Sequence, residues 1–300
     1  MLGAALAGAA LLLRPTPGDA WGEFGHRLVG ATAAAALPPE MPAFFRGAAA
    51  QLAYLNPEPD RWRERAEREL DPALDGATSP EHFIDTELIP ADRLAGALAA
   101  PSRFAFADTL RTLGLDPSTV GLLPFRIVEL TQQLRSDFRR WRTAPDATTR
   151  RWIEQRIIDD AGILGHYVAD GSNPTHTSQH FNGWVGDNPN GYTTDRTFHS
   201  RFESVFVQAR VTPDAVAPLV ARTPQTYEAL RPAVLDYLRR SNAELTRLYD
   251  LEKASSFTAT NADPAHARFA AERLAAGATM LRDLWWTAWV TSGLPVTKAP

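Results

Sequence analysis

The chain has 300 residues, 44% of them hydrophobic, and a formal net charge of −4. This length and apolar content suffice for a sizeable buried core, and the mild charge predicts neither the basic surface of a duplex-binding protein nor the strong acidity of a disordered tail. Because the chain has no cysteine, disulfides and thiolate metal sites are excluded, and any metal ligands must be imidazoles and carboxylates, which suit zinc among other ions.

The first 20 residues have the features of an export signal. Leu2 to Leu13 is an uninterrupted apolar run, which is too short to span a bilayer but has the length of a signal-peptide core. Gly18 and Ala20 are the small residues expected before a cleavage site, which predicts a secreted or periplasmic chain that begins at Trp21. The run lacks a preceding basic segment, so the alternatives are a buried N-terminal helix and, if the run is retained, a membrane anchor.

Helical periodicity extends over most of residues 21–300, so we predict an all-α, single compact multi-helix domain. Apolar residues within 124–141 recur at spacings of three and four and define one helical face. The predicted helices are Arg27–Ala36, Pro42–Tyr54, Arg61–Leu70, Pro124–Trp141, Thr148–Asp170, Thr226–Tyr249 and Pro264–Val290. Residues 171–197 are rich in Gly, Asn, Pro, Ser and Thr, which predicts a long loop of the kind that is usually functional in a compact domain.

Two pairs of potential metal ligands are spaced four residues apart. His166 and Asp170 point from the same face of a predicted helix one turn apart, and His199 and Glu203 repeat this arrangement. Such a pair can share one zinc ion, because the helix fixes two of about four ligands. His176 follows the proline that should end the first of these helices. Taken alone, each pair is more often a solvated surface pair.

Three further segments carry ligand side chains. Trp21 and His26 lie at the predicted mature N-terminus, Asp60 follows a proline-broken turn, and His82 comes about twenty residues later. Each has an alternative interpretation: His82 as a hydrogen-bonded core histidine, Asp60 as the cap of a helix that begins at Arg61, and Trp21 as ordinary packing. Their joint order and spacing favour a metal site.

This order and spacing resemble the superfamily of zinc-dependent bacterial phospholipases C and the plant and fungal single-strand-specific nucleases. The motifs are an N-terminal Trp followed by His, an isolated Asp, His-Phe, His-x3-Asp-x5-His and His-x3-Glu, and the resemblance runs from Trp21 to about Trp289. It implies the fold of that superfamily, with residues 171–197 as the loop of the metal site. It also implies that residues 21–300 are a zinc-dependent phosphodiesterase domain with three zinc ions.

The resemblance further implies how the ligands divide among the three ions. One zinc would be bound by four side chains: Asp60, His82, His166 and Asp170. A second would be bound by three: His176, His199 and Glu203. The third would be bound by the α-amino nitrogen and carbonyl oxygen of Trp21, together with His26 and Asp170, which bridges two metals. Ligation by an α-amino group would require cleavage before Trp21.

The interval between Asp60 and His82 is longer than the family usually shows. Three other carboxylates compete for the role of Asp60: Asp71, Asp75 and Asp85. Two histidines fall outside the motifs. His180, in the predicted loop, is a candidate to contact a ligand or the substrate, and His266 is predicted to be a surface residue because Ala, Asp and Arg surround it.

The resemblance implies hydrolysis of phosphate diesters, with catalytic roles for Asp60 and Asp170. Zinc lowers the pKa of bound water toward about 7 and so supplies hydroxide at neutral pH. Asp170 would bridge the metals that hold this hydroxide, and Asp60 would orient or deprotonate the water. The sequence has no Gly-x-Ser-x-Gly elbow, P-loop or dinucleotide fingerprint.

Three features favour a phospholipase C-like enzyme. The last ligand is Glu203, where the nucleases more often have Asp; the sequence from Phe198 to Glu203 is similar to that of the phospholipases; and the chain lacks the disulfides typical of the eukaryotic nucleases. The expected partner is then a phospholipid, with transient contact to a membrane surface and no obligate protein partner.

Other features favour a single-strand-specific nuclease of the 3′-nucleotidase type. The interval from His176 to His199 is close to the nuclease spacing, and Phe181, Trp184 and Tyr192 in the loop could stack on bases, although they could equally pack the loop down. The expected partner is then single-stranded nucleic acid. A third interpretation is a zinc-dependent lipid-binding module without catalytic activity.

Overall fold

Helix is the only regular secondary structure in residues 21–295, the part of the chain that this computed structural model describes. The predicted all-α fold and single domain are confirmed, whereas the predicted signal peptide lies outside the described residues. Seven helices have ten or more residues: α1 (Gly22–Ala35), α2 (Arg103–Thr112), α3 (Leu123–Arg142), α4 (Ala147–Ser172), α5 (Leu230–Asn242), α6 (Leu245–Ala254) and α7 (Pro264–Ser292).

Shorter helical segments connect these seven helices. The short α-helices are Ala43–Gly47, Ala49–Leu55, Glu58–Arg61, Arg65–Leu70, Ala73–Thr78, Ala91–Leu98, Pro117–Val120, Phe198–Ser200, Val207–Arg210 and Pro213–Val216. The 3₁₀ turns are Ser79–His82, Thr86–Leu88, Pro174–Thr177 and Ala217–Leu219, and Arg201–Phe206 is a π-helix. Within residues 21–295, no helix combines the length and the apolar character needed to cross a bilayer.

Helix α7 lies at the centre of the fold and packs against α1, α3 and α4. Its buried residues run from His266 to Ser292, on more than one side of the helix, as expected for a helix surrounded by others. Since α1 carries His26 and α4 carries His166 and Asp170, α7 supports both helices that present predicted ligands.

Side-chain caps fix where the long helices begin. The Asp146 carboxylate accepts hydrogen bonds from the backbone N–H groups of Thr148 and Thr149, both at 2.8 Å, at the start of α4. Asp263 caps α7 in the same way, with Pro264 in the first helical position. These contacts satisfy donors that a helix leaves unpaired at its first turn.

Three of the predicted helices are interrupted. The prediction for Thr226–Tyr249 is wrong, because α5 ends at Asn242 and α6 starts after a short turn. The Asn242 side chain donates a hydrogen bond to the backbone carbonyl of Thr177 at 2.7 Å, a long-range contact that ties the end of α5 to the loop. The predictions for Pro42–Tyr54 and Arg61–Leu70 each merge two short helices into one.

Two acidic side chains, Asp137 on α3 and Asp160 on α4, lie side by side. Asp160 accepts hydrogen bonds from Gln133 and Arg156, each at 2.9 Å. Burial and the neighbouring Asp160 raise the pKa of Asp137 to about 6. Between about pH 4 and pH 6 the folded chain therefore keeps a proton at Asp137 that the unfolded chain has released, and stability falls as pH rises through this window.

Replacing Asp137 with asparagine should remove this penalty. We expect the free energy of unfolding to rise by about 1 kcal/mol at pH 7.5, a value discounted for the partial exposure of the side chain, and to be unchanged at pH 4. Urea denaturation at both pH values measures this effect. The exposed Asp108→Asn is the control, and an equal change at both pH values would contradict the expectation.

Candidate metal centre

The nine residues predicted as metal ligands form one continuous cluster. Each has a polar atom within 3.9 Å of a polar atom of another member. The side chains are buried, apart from His199, which is 18% exposed. The members are Trp21, His26, Asp60, His82, His166, Asp170, His176, His199 and Glu203. Since they come from well-separated parts of the chain, their convergence is a property of the tertiary structure.

Four ligand atoms converge at the first predicted site: Asp60 Oδ1, His82 Nδ1, His166 Nε2 and Asp170 Oδ2. His82 Nδ1 lies 2.9 Å from His166 Nε2 and 3.1 Å from Asp170 Oδ2. Asp60 Oδ1 lies 3.7 Å from His166 Nε2 and 3.8 Å from His82 Nδ1. A tetrahedral zinc ion with ligands at 2.0–2.2 Å places its ligand atoms about 3.3–3.6 Å apart. The observed distances lie on both sides of this range, so small shifts of these side chains would accommodate the ion.

The second predicted set joins the two ends of the loop, with His176 in the 3₁₀ turn before it and His199 and Glu203 in the helical segment after it. Glu203 Oε2 is 2.6 Å from His199 Nε2 and 3.6 Å from His176 Nε2. His199 lies in the short helix Phe198–Ser200 and Glu203 in the π-helix Arg201–Phe206, rather than in one α-helix. Single π-turns inside helices are common at functional sites. The change of helix type does not separate the predicted pair, since His199 and Glu203 remain in contact.

The third predicted set is only partly reproduced. His26 Nε2 lies 3.4 Å from Asp170 Oδ1 and 3.9 Å from Asp60 Oδ2. The backbone nitrogen of Trp21 reaches the cluster, but its hydrogen-bond acceptor is Glu203 Oε2, at 3.1 Å. Asp60 and Asp170 therefore each present one oxygen to His26 and the other to the pair formed by His82 and His166.

Trp21 is held in place by its side chain and has an unusual backbone. Its φ of 46° makes it the one non-glycine residue among residues 21–295 with a positive φ, a conformation that costs an L-residue about 1–2 kcal/mol. The indole is fully buried and donates to Ala169 O at 2.7 Å and to Ser172 Oγ at 3.2 Å. The packing interpretation is therefore confirmed for the indole, while the backbone nitrogen of Trp21 still faces the cluster through Glu203.

The prediction that Asp60 caps a helix is wrong. Asp60 lies inside the helix Glu58–Arg61, and its carboxylate faces the histidines. Two of its predicted competitors have other partners, because Asp71 accepts from the backbone of Ala73 and Asp75 pairs with Arg63, each at 2.9 Å. Burial and the neighbouring Glu87 raise the pKa of Asp85 to about 7. Asp85 belongs to none of the groups of side chains that lie close enough together to share a metal ion.

Three ligand atoms of the cluster make no hydrogen bond within residues 21–295: His26 Nε2, Asp170 Oδ1 and His176 Nε2. A buried polar atom without a partner costs roughly 1–3 kcal/mol, and buried polar groups in folded proteins are nearly always satisfied. Cations at these positions would satisfy all three atoms. The donor set of imidazoles and carboxylates also suits zinc, so the residues present fit the predicted metal.

Hydrogen bonds to the opposite ring nitrogens fix how three of the histidines face the cluster. His166 Nδ1 donates to the backbone carbonyl of Asn56 at 3.0 Å, and His176 Nδ1 donates to the carbonyl of His82 at 2.8 Å. His26 Nδ1 bonds to the Asn56 side-chain oxygen at 3.1 Å. Because these oxygens can only accept, Nδ1 carries the hydrogen, and the Nε2 lone pair is left for a metal.

The electrostatics of the cluster keep several of its side chains in the protonation state that binds metal: neutral histidine and ionised carboxylate. Burial lowers the pKa of His82 to about 3 and holds the pKa of His26 well below its usual value, so both are neutral at pH 7. Burial alone would raise the pKa of Asp170, but His166 and His176 outweigh it and keep this pKa well below its usual range.

His176 differs from the other histidines. Burial disfavours its charged form, but Asp170 and Glu203 outweigh burial and raise its pKa to about 9. In the metal-free chain His176 is therefore a cation at neutral pH. A metal ion that binds there must displace a proton, so its affinity for this position rises with pH up to about 9.

Asn56 is a residue that the sequence analysis missed. It is fully buried and contacts two predicted ligands, His26 through its side chain and His166 through its backbone. Its amide group lies against Gly30 and Gly165. A Cβ added at these glycines would lie 3.0 Å and 2.2 Å, respectively, from the amide nitrogen of Asn56. The visible signals were an Asn-Pro turn and a glycine next to His166, neither of which indicates a contact between them.

Replacing Asn56 with alanine should weaken metal binding at His26. The His26 ring would lose the acceptor that orients it, and removal of such partners typically reduces metal affinity about 10–100-fold. Asn56→Asp keeps the acceptor oxygen and should retain most of the affinity. Zinc titration against a competing chelator measures both variants, and wild-type affinity in the alanine variant would contradict this role.

A buried ionic network supports His82 and His166 from outside the cluster. Glu81, next to His82, is 5% exposed and accepts hydrogen bonds from Arg103 and from Tyr167, the residue after His166. The Tyr167 ring contacts both histidines, with centroids 5.3 Å away in each case. This network was also missed, because a lone Glu-His dipeptide gives no sign of its distant partners.

The loop between His176 and His199 is held in place by aromatic packing. Residues 178–197 are irregular as predicted, but α4 extends to Ser172, and a 3₁₀ turn carries His176. The His180 ring stacks on Trp184 at 3.9 Å, and Trp184 packs on Tyr192. These three residues therefore have packing roles, whereas Phe181 is 46% exposed, with its ring edge 5.8 Å from His199.

The prediction that His266 is a surface residue is wrong. Its side chain is fully buried, and Nε2 lies 2.8 Å from the carbonyl of Ser255 and 3.0 Å from that of Leu251. The ring also packs against Phe257, with centroids 4.6 Å apart. The prediction relied on the polar residues next to His266 in the sequence. The residue is buried because the segment after α6, which includes Ser255 and Phe257, packs over it.

Comparisons of the chain with protein-family models, with curated proteins and with solved structures find no match. The residues of the cluster therefore carry the functional argument by themselves.

Proposed function

We propose that this chain is an exported zinc-dependent phosphodiester hydrolase of the phospholipase C type. The observation that carries the proposal is the cluster in which Asp60 and Asp170 each present one oxygen to His26 and the other to His82 and His166. Carboxylates shared in this way hold metal ions close together, the arrangement used in phosphate ester hydrolysis. The superfamily named by the sequence motifs performs this chemistry.

Zinc bound to this cluster would lower the pKa of water and polarise the phosphate. The nine residues of the cluster would hold three ions, with Asp170 shared between two of them. Asp60 is the candidate general base, because its carboxylate faces His26, His82 and His166 and would lie next to water held by zinc at these histidines. A carboxylate there can orient the attacking water and accept its proton.

The exposed side of the cluster indicates where a substrate approaches. His199 is the most exposed of the ligand side chains, and Phe181 lies beside it. Phe181 and Val185 are exposed by 46% and 38%. An exposed aromatic side chain beside the site, with a second exposed apolar side chain in the same loop, favours transient contact with a lipid surface, which supports a phospholipid as the substrate.

The second candidate is a single-strand-specific nuclease. Phe181 favours it, because an exposed aromatic ring beside a phosphate-cleaving site can stack on a base, a contact worth about 1–3 kcal/mol. The two candidates share the metal centre and differ in what Phe181 touches. A zinc-dependent lipid-binding module remains the third, non-catalytic proposal.

The test is the activity of the exported chain with its N-terminus read by intact mass. We expect a chain that begins at Trp21, about three zinc ions per chain, and release of the phosphorylated headgroup from phosphatidylcholine micelles. Cleavage of single-stranded DNA or RNA instead would assign the nuclease, and vesicle binding without product would assign the binding module. One zinc or none with Trp21 at the terminus would overturn the trinuclear assignment.

Phe181→Ala separates the two substrates further, with Val185→Ala as its matched control. A phospholipase should lose vesicle-dependent activity in both variants, since both side chains would contact lipid. A nuclease should lose activity in Phe181→Ala only, by about 10-fold, because only the aromatic ring stacks on a base.

A further inference from the structure

A cavity lies between α5 and α7, and none of the nine residues of the metal centre lines it. Its volume is about 570 Å³, within the range of small-molecule sites. Apolar side chains such as Tyr227 and Met280 make up much of its wall, with charged side chains from both helices. Ser172 also lines it, and the Ser172 hydroxyl accepts the Trp21 indole N–H at 3.2 Å, so one hydrogen bond connects the cavity wall to a residue of the metal centre.

Two polar side chains of the cavity wall have unused hydrogen-bonding capacity. The Arg273 side chain is 15% exposed and makes no hydrogen bond within residues 21–295. Its guanidinium lies 5.8 Å from the Phe269 ring centroid, and its closest carboxylate oxygen, on Glu244, is 3.9 Å away. Its Nε is buried without a partner, as is Oγ of Ser241, which is 2% exposed. A guanidinium has five N–H donors, and leaving them unsatisfied is costly.

The acidic residues of the wall have other cations as their partners. Glu272 accepts from Arg268 at 2.8 Å and from Arg247 at 3.0 Å, and Arg247 also lies 3.4 Å from Glu244. Their charges are therefore largely compensated from outside the cavity. The charge that lacks a close partner at the cavity is that of Arg273.

We propose that this cavity binds a small organic anion, in which a phosphate monoester or carboxylate group is attached to an apolar body. Arg273 pairs with the anionic group, because guanidinium donors match carboxylate and phosphate geometry. Ser241 supplies a hydroxyl donor, and Tyr227 packs against the apolar body. Arg240, which also lines the wall, is exposed and already paired with Asp236, so the anionic group is assigned to Arg273 alone. This site is separate from the metal centre and does not depend on the proposed hydrolase activity.

Calorimetric titration of the zinc-loaded chain tests the proposal with three probes of similar size: phenyl phosphate, benzoate and neutral benzyl alcohol. We expect at least one anion to bind at least about 10-fold more tightly than the alcohol, and Arg273→Gln to remove that difference, as the loss of a charge-assisted contact predicts. Arg151→Gln, an exposed arginine near the start of α4 that does not line the cavity, should bind like the wild type. The anion with the higher affinity identifies the ligand group.

Anions also bind zinc, so a metal-centre variant locates the signal. His199→Ala should keep the anion affinity of the cavity, and Ala276→Phe, which fills the cavity from α7, should abolish it even if Arg273→Gln fails to fold. The proposal is overturned if no anion binds more tightly than benzyl alcohol. It is also overturned if binding is lost in His199→Ala and kept in Ala276→Phe, since that result assigns the anion to the metal centre.

Discussion

Asp170→Asn should reduce phosphodiester hydrolysis at least about 100-fold and should lower the zinc content of the purified chain. The substitution keeps the shape of the side chain but removes the negative charge that faces His26 on one side and His82 and His166 on the other. Loss of a residue that merely orients a metal ligand already costs about 10–100-fold, so loss of a shared ligand should cost more. Steady-state kinetics and metal analysis of the same preparation measure both effects.

The control for this variant is Asp160→Asn, on the same helix and also buried, with Gln133 and Arg156 as its hydrogen-bond partners. It should keep wild-type zinc content and activity, since Asp160 contacts no cluster residue in the described part of the chain. Near-full activity in Asp170→Asn would contradict the proposed mechanism. Loss of activity with zinc content unchanged would instead make Asp170 a catalytic group that is not needed to hold the metal.

Removal of zinc should destabilise the fold strongly. A ligand that binds only the folded state at about 1000 times its Kd stabilises it by about 4 kcal/mol per site, and 1 kcal/mol shifts the Tm of a chain of this size by about 2–4 °C. Several sites together should therefore lower the Tm by more than about 10 °C when a chelator removes the ions. Without zinc, the buried charges of Asp60, Asp170 and Glu203 also lose their compensating cations.

Differential scanning calorimetry with and without chelator measures this change, and added zinc should restore the original Tm. The Asp170→Asn variant should show a smaller loss, because fewer ions remain to be removed. A Tm that the chelator leaves unchanged would show that the cluster is stable without metal. The buried histidines and carboxylates would then have structural roles only.

The sequence by itself determined the features that depend on short separations along the chain. The all-α fold followed from apolar spacings of three and four, and the His166–Asp170 pair followed from a four-residue spacing that any helix places on one face. The loop predicted at 171–197 followed from composition, because glycine, proline and asparagine favour turns over helix, although the structure confines the irregular part to 178–197. In these cases the local chain geometry restricts the outcome before any tertiary contact forms.

Only the tertiary structure decided the features that depend on partners far away in the sequence. Asn56 positions His166 across 110 residues, and Glu81 reaches Tyr167 across 86. The burial of His266 and the break between α5 and α6 likewise depend on segments that pack against them, as the contact from Asn242 to Thr177 shows. Neither spacing nor composition encodes such contacts, because which distant groups meet is set by how the whole chain packs its core.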